Sequence, residues 1–597
     1  MRWRDGSAAC GVLTSGLSSS PGPGRLLALE AAIVGLAALV LCAWFGSRST
    51  AITSVLTGIL AVAVAFRVRQ GSRPRWPLPH AETLVCLALA VAYRFSALLH
   101  PWGWVNRDGA YGAFVALHLL DGARPAPVFT EGANYQGTLK GHIAAALALL
   151  TGSRDLSWLM VLSSLLLYLV FAAATMALAR RLGGRAAAAA AGLYLALSPR
   201  FLTVFSLNCV GQYVDVLALG GVSLAVLARL LDEERHGAGA RVSYLGLGLL
   251  LGAAFWQQPV ALGYVGAAAL ALVWRRRTWR DPWTLVVLAG LLLGALPVLL
   301  WNAQNDWASA DILGRDPAEL RAQAVALPRL ALRAAQISLP ILAGLSPGHP
   351  WADVPGVGWL ALLVIPASLA AFIAARGRAI VADVRQRGAS ADLLPPLLML
   401  CCLGLFWAVA SGRVYWRPRY LLPVVAATAI HLGVAAAWLW ARSRPAAVLA
   451  LGALLALNVA GTLPRLRESR AIAEYYARVV RSLRDKSVRT GYADFSLSAP
   501  VTMFTAEAIV LSPRLGPTPA YESEEHARRV ERDGPDAYVL RPEDDAHAFA
   551  RALRALGVSF QLDLDPVPVF HAFSRRVPLG EVAGLTADGT ETDEPEG

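Results

Sequence analysis

The apolar residues of this chain come in blocks of 16 to 24, and that feature decides what it can fold into. A hydrocarbon layer about 30 Å thick takes about 20 apolar helical residues to cross, and a helix satisfies its own backbone polar groups inside lipid. Blocks near 26–45, 51–66, 82–99, 156–179, 186–203, 212–231, 243–258, 259–274, 283–301, 357–375, 392–411, 421–441 and 445–463 predict an all-α polytopic membrane bundle of about 13 spans. The composition agrees: 56% of the 597 residues are hydrophobic and 16% are charged, against about 25% charged in soluble domains. Six cysteines (Cys10, Cys42, Cys86, Cys209, Cys401 and Cys402), all but the first in or beside apolar runs, exclude a disulfide-stapled secreted scaffold. The net charge of +13 does not point to nucleic acid. Of the 54 basic residues 52 are Arg, and many sit at the ends of apolar runs, where they set topology.

The loop charges test the spans. Basic clusters at Arg67–Arg75, Arg180–Arg185, Arg275–Arg280, Arg376–Arg387 and Arg442–Arg444 fall in loops on one side, with Arg2, Arg4 and Arg25 of the N-terminus. The positive-inside rule makes that side cytoplasmic, so thirteen crossings leave the C-terminus outside the inner membrane. Residues 1–24 are Gly/Ser/Pro-rich and predict a disordered cytoplasmic start. The transmembrane domain runs over 25–463, with long outer segments at 100–155 and 302–356. Segments of that length are usually functional, so the chemistry is expected outside. A small extracytoplasmic α/β domain is expected over 464–579. It has a helical stripe at 466–485, strands at 487–492, 508–511, 536–540 and 567–572, and helices at 522–532 and 543–555. An acidic tail, 580–597, follows.

Several polar interruptions could carry chemistry. Asp108 follows closely on a span, among aromatics, and a carboxylate at the membrane boundary is costly unless something uses it. It could act as a base toward a hydroxyl, or cap the helix that follows. Glu131, Tyr135, Lys140 and His142 lie in the rest of that polar, aromatic loop. Lys140 and His142 could meet a phosphate or sugar, or be solvated groups on an interfacial helix. Gln212 and Asp215 sit at the outer end of a span, Asp215 as a second carboxylate or as a helix-start acid favoured by the dipole. Arg413, Arg417 and Arg419, with Tyr415, Trp416 and Tyr420, break the charge rule by placing three arginines on the outer side. Their donor forks suit a lipid phosphate, or they snorkel to headgroups. Asn302 closes another span at the same face, and 318–338 is amphipathic enough to lie on the membrane as a lid. No metal-ligand spacing, P-loop or dinucleotide fingerprint occurs.

Taken in order, Asp108-Gly-Ala-Tyr111, Leu119-Leu-Asp-Gly122, Asn134-Tyr-Gln-Gly-Thr-Leu139, Ser198-Pro199, Gly211-Gln-Tyr-Val-Asp215, Gly294-Ala-Leu-Pro297 through Trp301-Asn302, and Arg419-Tyr-Leu-Leu-Pro423 resemble the GT-C superfamily of integral-membrane glycosyltransferases. The nearer likeness is to the bacterial branch related to protein O-mannosyltransferases and to aminoarabinose and Rgt-type lipopolysaccharide transferases. Gly491-Tyr-Ala-Asp494 with Phe504-Thr-Ala-Glu507 resembles the outer domain of some members. The resemblance implies transfer of a sugar from a polyprenyl-phosphate donor, with inversion, to an envelope glycan, lipid or protein hydroxyl. It makes Asp108 the general base. It makes Arg417 and Arg419 the groups that stabilise the leaving phosphate, and lines the site with Tyr111 and Tyr420. It leaves room for a divalent cation as cofactor. The chain departs from the pattern at Arg107 and Gly109, where many members carry an adjoining acid, and at Lys140, where Glu often stands. Two other classes stay open: a transporter or flippase, supported by Arg94 and the Gln257-Gln258-Pro259 break, and a non-catalytic scaffold.

Overall fold

The computed structural model describes residues 80–122, 126–232, 238–275, 283–309, 334–344, 357–386, 390–409, 418–515 and 523–582, with the single residues 328, 332 and 388. The first two expected spans, the Gly/Ser/Pro-rich start, most of the segment 302–356 with its amphipathic stretch, the arginines at 413 and 417, and nearly all of the acidic tail lie outside them. The main helices are α1 (Ala81–Leu99), α2 (Arg107–Leu120), α3 (Leu139–Thr151), α4 (Leu156–Ala196), α5 (Arg200–Phe205), α6 (Tyr213–Asp232), α7 (Ala238–Gln257), α8 (Leu262–Trp274), α9 (Trp283–Gly294), α10 (Leu296–Gln304), α11 (Val357–Gln386), α12 (Leu394–Val409), α13 (Leu422–Trp440) and α14 (Arg444–Asp485). Among the described residues seven helices are long and apolar enough to cross a membrane, or eight if the pair α9 and α10, bent by 56°, is one span.

The chain is a multi-pass membrane protein with a mostly helical fold. Two expected spans, 156–179 and 186–203, run into one another in α4, where Gly184 has φ 73° and marks a kink between two helices. Only glycine takes that backbone without strain. The bundle packs by close backbone approach. A Cβ on Gly248 or Gly252 of α7 would stand 2.1 Å from the Val287 or Leu291 carbonyl of α9. Small residues four apart allow this contact, which in lipid replaces the hydrophobic drive for helix association.

Arg94 explains how a charge sits inside α1. It is fully buried, and its guanidinium donates to Ser206 Oγ (2.8 Å), the Ala196 carbonyl (2.9 Å) and Ser198 Oγ (2.6 Å), with its plane over the Tyr168 ring at 4.2 Å. It therefore satisfies carbonyls left open at the C-terminus of α4, the helix end whose partial negative charge favours a cation.

Ion pairs gather at the end of the bundle opposite the N-terminus of α6. Arg181 pairs with Asp232, Arg180 and Arg185 with Glu82, and Arg376 grips Asp392 through two contacts of 2.7 Å. Asp215 and Asp232 bracket α6, about 25 Å apart along its axis at 1.5 Å per residue.

Helix α14 is continuous for 42 residues, so the last span and the helical stripe at 466–485 are one rod leading into a small sheet. The strands are β1 (Thr490–Ala493), β2 (Val510–Ser512), β3 (Ala537–Val539), β4 (Gln561–Asp563) and β5 (Val569–His571), in the order β2-β1-β3-β5-β4. The β1–β2 and β1–β3 pairs are parallel and the two pairs of β5 antiparallel. The β1, β2, β3 and β5 strands are buried throughout, as a sheet covered on both faces requires. Helices α15 (Phe495–Phe504), α16 (Glu524–Asp533) and α17 (Ala546–Ala555) cover it. Strand β4 and helix α15 were not expected from the sequence. Ala499 and Met503 of α15 share a core with Tyr111 and Phe114 of α2 and with Leu207 and Cys209, so the C-terminal domain is seated on the loop that carries Asp108.

Candidate active site

Asp108 lies in the first turn of α2, with its side chain 14% exposed. It is not the helix cap. Asn106 holds that place, its side-chain oxygen accepting from the Gly109 N–H at 3.0 Å. The cap reading of Asp108 is therefore answered by a neighbour, and the carboxylate points elsewhere. Its Oδ2 is 4.0 Å from Arg419 Nη1 and its Oδ1 is 4.0 Å from Arg107 Nε. Both contacts are longer than a charge-assisted hydrogen bond. Gly109 brings this turn close to another: a Cβ there would sit 3.0 Å from the Asn208 carbonyl and from Cys209 Cβ.

The turn 206–211 links Asp108 to a second acid. Cys209 and Gly211 have φ of 60° and 50°, which turns their carbonyls onto Lys140. Lys140 Nζ donates to the Gly211 carbonyl at 2.9 Å and lies 3.3 Å from Asp215 Oδ2. Both side chains are at or below 1% exposure. Asp215 Oδ1 accepts no hydrogen bond among the described residues, so the ammonium is its counter-charge. Lys140, which stands where the resembled family often has an acid, thus neutralises one.

The circle closes through aromatic rings. Tyr213, two residues before Asp215, meets Tyr420 edge-on at 6.2 Å, and Arg419 lies 5.7 Å from the centre of the Tyr420 ring. Asp108, Lys140, Asp215, Arg419 and Tyr420 therefore share one end of the bundle. Gln212 joins them. Its N–H donates to Gln258 Oε1 at 3.3 Å, and its own Oε1 is buried with no hydrogen-bond partner among the described residues.

Other expected residues are placed elsewhere. Tyr111 is buried against Phe114 (5.7 Å) and Phe495 of α15 (6.3 Å). Glu131 faces His118. Tyr135 lies in the tight turn that the Phe129–Gly137 bridge closes. Asn302 turns its amide inward on its own loop, donating to the Val298 carbonyl at 2.8 Å and accepting from Ser309 N at 3.1 Å.

Gln257 and Gln258 were read only as a helix break. They hold the site's loops instead. Gln257 accepts from Gly137 N through its carbonyl (2.9 Å) and from Leu139 N through Oε1 (3.1 Å), while Gln258 holds Gln212. Nothing in their local spacing signals partners 118 and 46 residues away.

Residues 139–301 match the family described as dolichyl-phosphate-mannose-protein mannosyltransferase. The fold is similar to the crystal structure of ArnT from Cupriavidus metallidurans bound to undecaprenyl phosphate. That match has 15% identity and a TM-score of 0.51, and covers 82% of this chain and 97% of that one. ArnT from the same organism in the apo state aligns at 14% identity over 84% of this chain and 99% of that one, with a TM-score of 0.49. The Archaeoglobus fulgidus oligosaccharyltransferase complex with Zn and sulfate aligns at 12% over 82% and 73%, with a TM-score of 0.43. No curated protein matches the sequence. The chain therefore has an ArnT-like fold, and its segment 139–301 carries the likeness to the mannosyltransferase family.

Proposed function

We propose that the chain moves a sugar from a polyprenyl-phosphate donor to a hydroxyl of an envelope glycan, lipid or protein, at the outer face of the inner membrane and with inversion. The observation that carries this reading is the pairing of one acid with one guanidinium, Asp108 with Arg419, at the end of the bundle where the C-terminal domain sits. Asp108 takes the proton of the acceptor hydroxyl. The oxygen attacks the anomeric carbon as its bond to the phosphate breaks. Arg419 meets the charge growing on the phosphate oxygens. Arg417, outside the described residues, is proposed to join it there. Tyr420, Gln212 and the Lys140–Asp215 pair shape the floor, and Tyr111, Glu131, Tyr135 and Asn302 are proposed contacts of the bound substrates.

The similarity in fold to ArnT bound to undecaprenyl phosphate supports a lipid-phosphate donor here. The orientation follows from the basic loops, with the N-terminus and the Arg181–Asp232 end cytoplasmic. The features that favoured a transporter have structural roles instead: Arg94 closes a helix end and Gln257-Gln258 bind loops. The test is a transfer assay with purified protein and a panel of polyprenyl-phosphate sugars. One donor should be consumed with release of polyprenyl phosphate. Failure of every donor in the panel, with transport of an intact lipid-linked substrate across proteoliposomes, would replace this reading with the flippase.

A further inference from the structure

Where the C-terminal domain meets α2, three side chains that the proposed transfer does not use converge on one point. His118 Nε2 and His526 Nε2 each donate to the same oxygen, Glu507 Oε1, at 2.9 Å. The three ligand-capable atoms lie within 4.8 Å of one another. They come from three elements: the last turn of α2, the turn after α15, and the start of α16. His526 is buried, with Phe114 edge-on to its ring at 4.8 Å.

The backbone and the surroundings are arranged around this point. Ala506 and Glu507 have φ of 46° and 62°, a left-handed conformation that non-glycine residues hold where the surrounding structure over-determines it. Glu131 Oε1 stands 3.7 Å from the other nitrogen of His118, Nδ1, and Glu131 Oε2 is buried with no hydrogen-bond partner among the described residues.

We propose that His118 Nε2, His526 Nε2 and Glu507 Oε1 bind one divalent transition-metal ion of the zinc class, which staples the C-terminal domain to the helix that begins with Asp108. Two imidazoles and one carboxylate are a zinc donor set. Magnesium and calcium seek oxygen ligands instead. On binding, each imidazole releases to solvent the Nε2 proton it donated to Glu507, presents that lone pair to the ion and carries its N–H on Nδ1. The Nδ1–H of His118 then faces Glu131, the outer carboxylate that fixes a ligating histidine's tautomer. The fourth position is left to water. The sequence could not announce this set, because His118 and Glu507 are 389 residues apart.

The test uses the purified full chain, stripped with a chelator and titrated with Zn²⁺ by calorimetry. Its readout is metal content and affinity without any sugar donor, so it stands apart from the transfer reading. One tight equivalent is expected. It should be lost in H118A/H526A, and Glu131→Gln should weaken it by roughly 10- to 100-fold. Glu507→Gln, nearly the same shape, guards against misfolding: it should keep the domain's helical signal and lose the metal. Co²⁺ should bind the same site, with ligand-field bands that vanish in Glu507→Gln. Zinc uptake by the wild type no greater than by H118A/H526A, or a site that takes Mg²⁺ as readily as Zn²⁺, would overturn the assignment.

Discussion

The Lys140–Asp215 pair offers a quantitative test of the buried end of the site. The two groups are 3.3 Å apart and essentially without solvent contact. At an effective dielectric constant of about 20 their attraction is about 5 kcal/mol, and it offsets the cost of burying both charges. Lys140→Met removes one partner and strands the other. It should cost ~3–5 kcal/mol of stability. Asp215→Asn should cost about as much, less whatever the Gly211 carbonyl still gives the ammonium. The double variant K140M/D215N buries no charge. Its cost should fall to ~1–3 kcal/mol, chiefly the Gly211 carbonyl left without its donor. The coupling energy is then at least about 3 kcal/mol. The assay is denaturant unfolding of the detergent-solubilised chain, followed by tryptophan fluorescence, for the wild type, both singles and the double. Costs that simply add, or a neutral Lys140→Met, would refute the pair.

Further outcomes follow from other contacts. Arg419→Ala should lower kcat/KM for the lipid-phosphate donor about 10- to 150-fold, the kinetic equivalent of one charge-assisted hydrogen bond of roughly 1.5–3 kcal/mol; unchanged donor kinetics would remove its role. Arg94→Leu should destabilise the bundle by ~3 kcal/mol or more, because the C-terminal carbonyls of α4 lose their donors. Arg94→Lys should not restore it, since one ammonium cannot reach both serine hydroxyls and a carbonyl in the planar fork. Unfolding midpoints of the two variants decide the point. Asn106→Ala should cost ~0.5–2 kcal/mol and Asn106→Asp should recover most of it, as an N-cap requires; equal midpoints for all three chains would deny the cap.

How much of this was legible beforehand depended on how local the signal was. Apolar runs mark helices because each residue's environment is written in its neighbours, and the basic loop ends are local too. The bend at Ala295 is a single-residue backbone event inside apolar sequence, so the expected span 283–301 ran straight through it, whereas the kink at Gly184 falls in the basic stretch 180–185 that already separated two expected spans. Helix α15 hid because Pro500 interrupts it. In the site, Asp108, Arg419, Lys140 and Asp215 stood out as charges where charges are expensive, and they come together. The cap could have been assigned to Asn106, a strong capping residue two positions earlier. Gln257, Gln258 and the His118–Glu507–His526 cluster could not have been found, because each works only through a partner far along the chain.

The account turns on Asp108 as the group that takes the acceptor's proton beside Arg419. The most direct measurement is the single-turnover rate of sugar transfer by Asp108→Asn, read with donor affinity on the same preparation. The amide keeps the shape but cannot accept the proton. The rate should fall by about 10²- to 10⁴-fold while donor binding holds. A variant that transfers sugar at the wild-type rate would contradict the account.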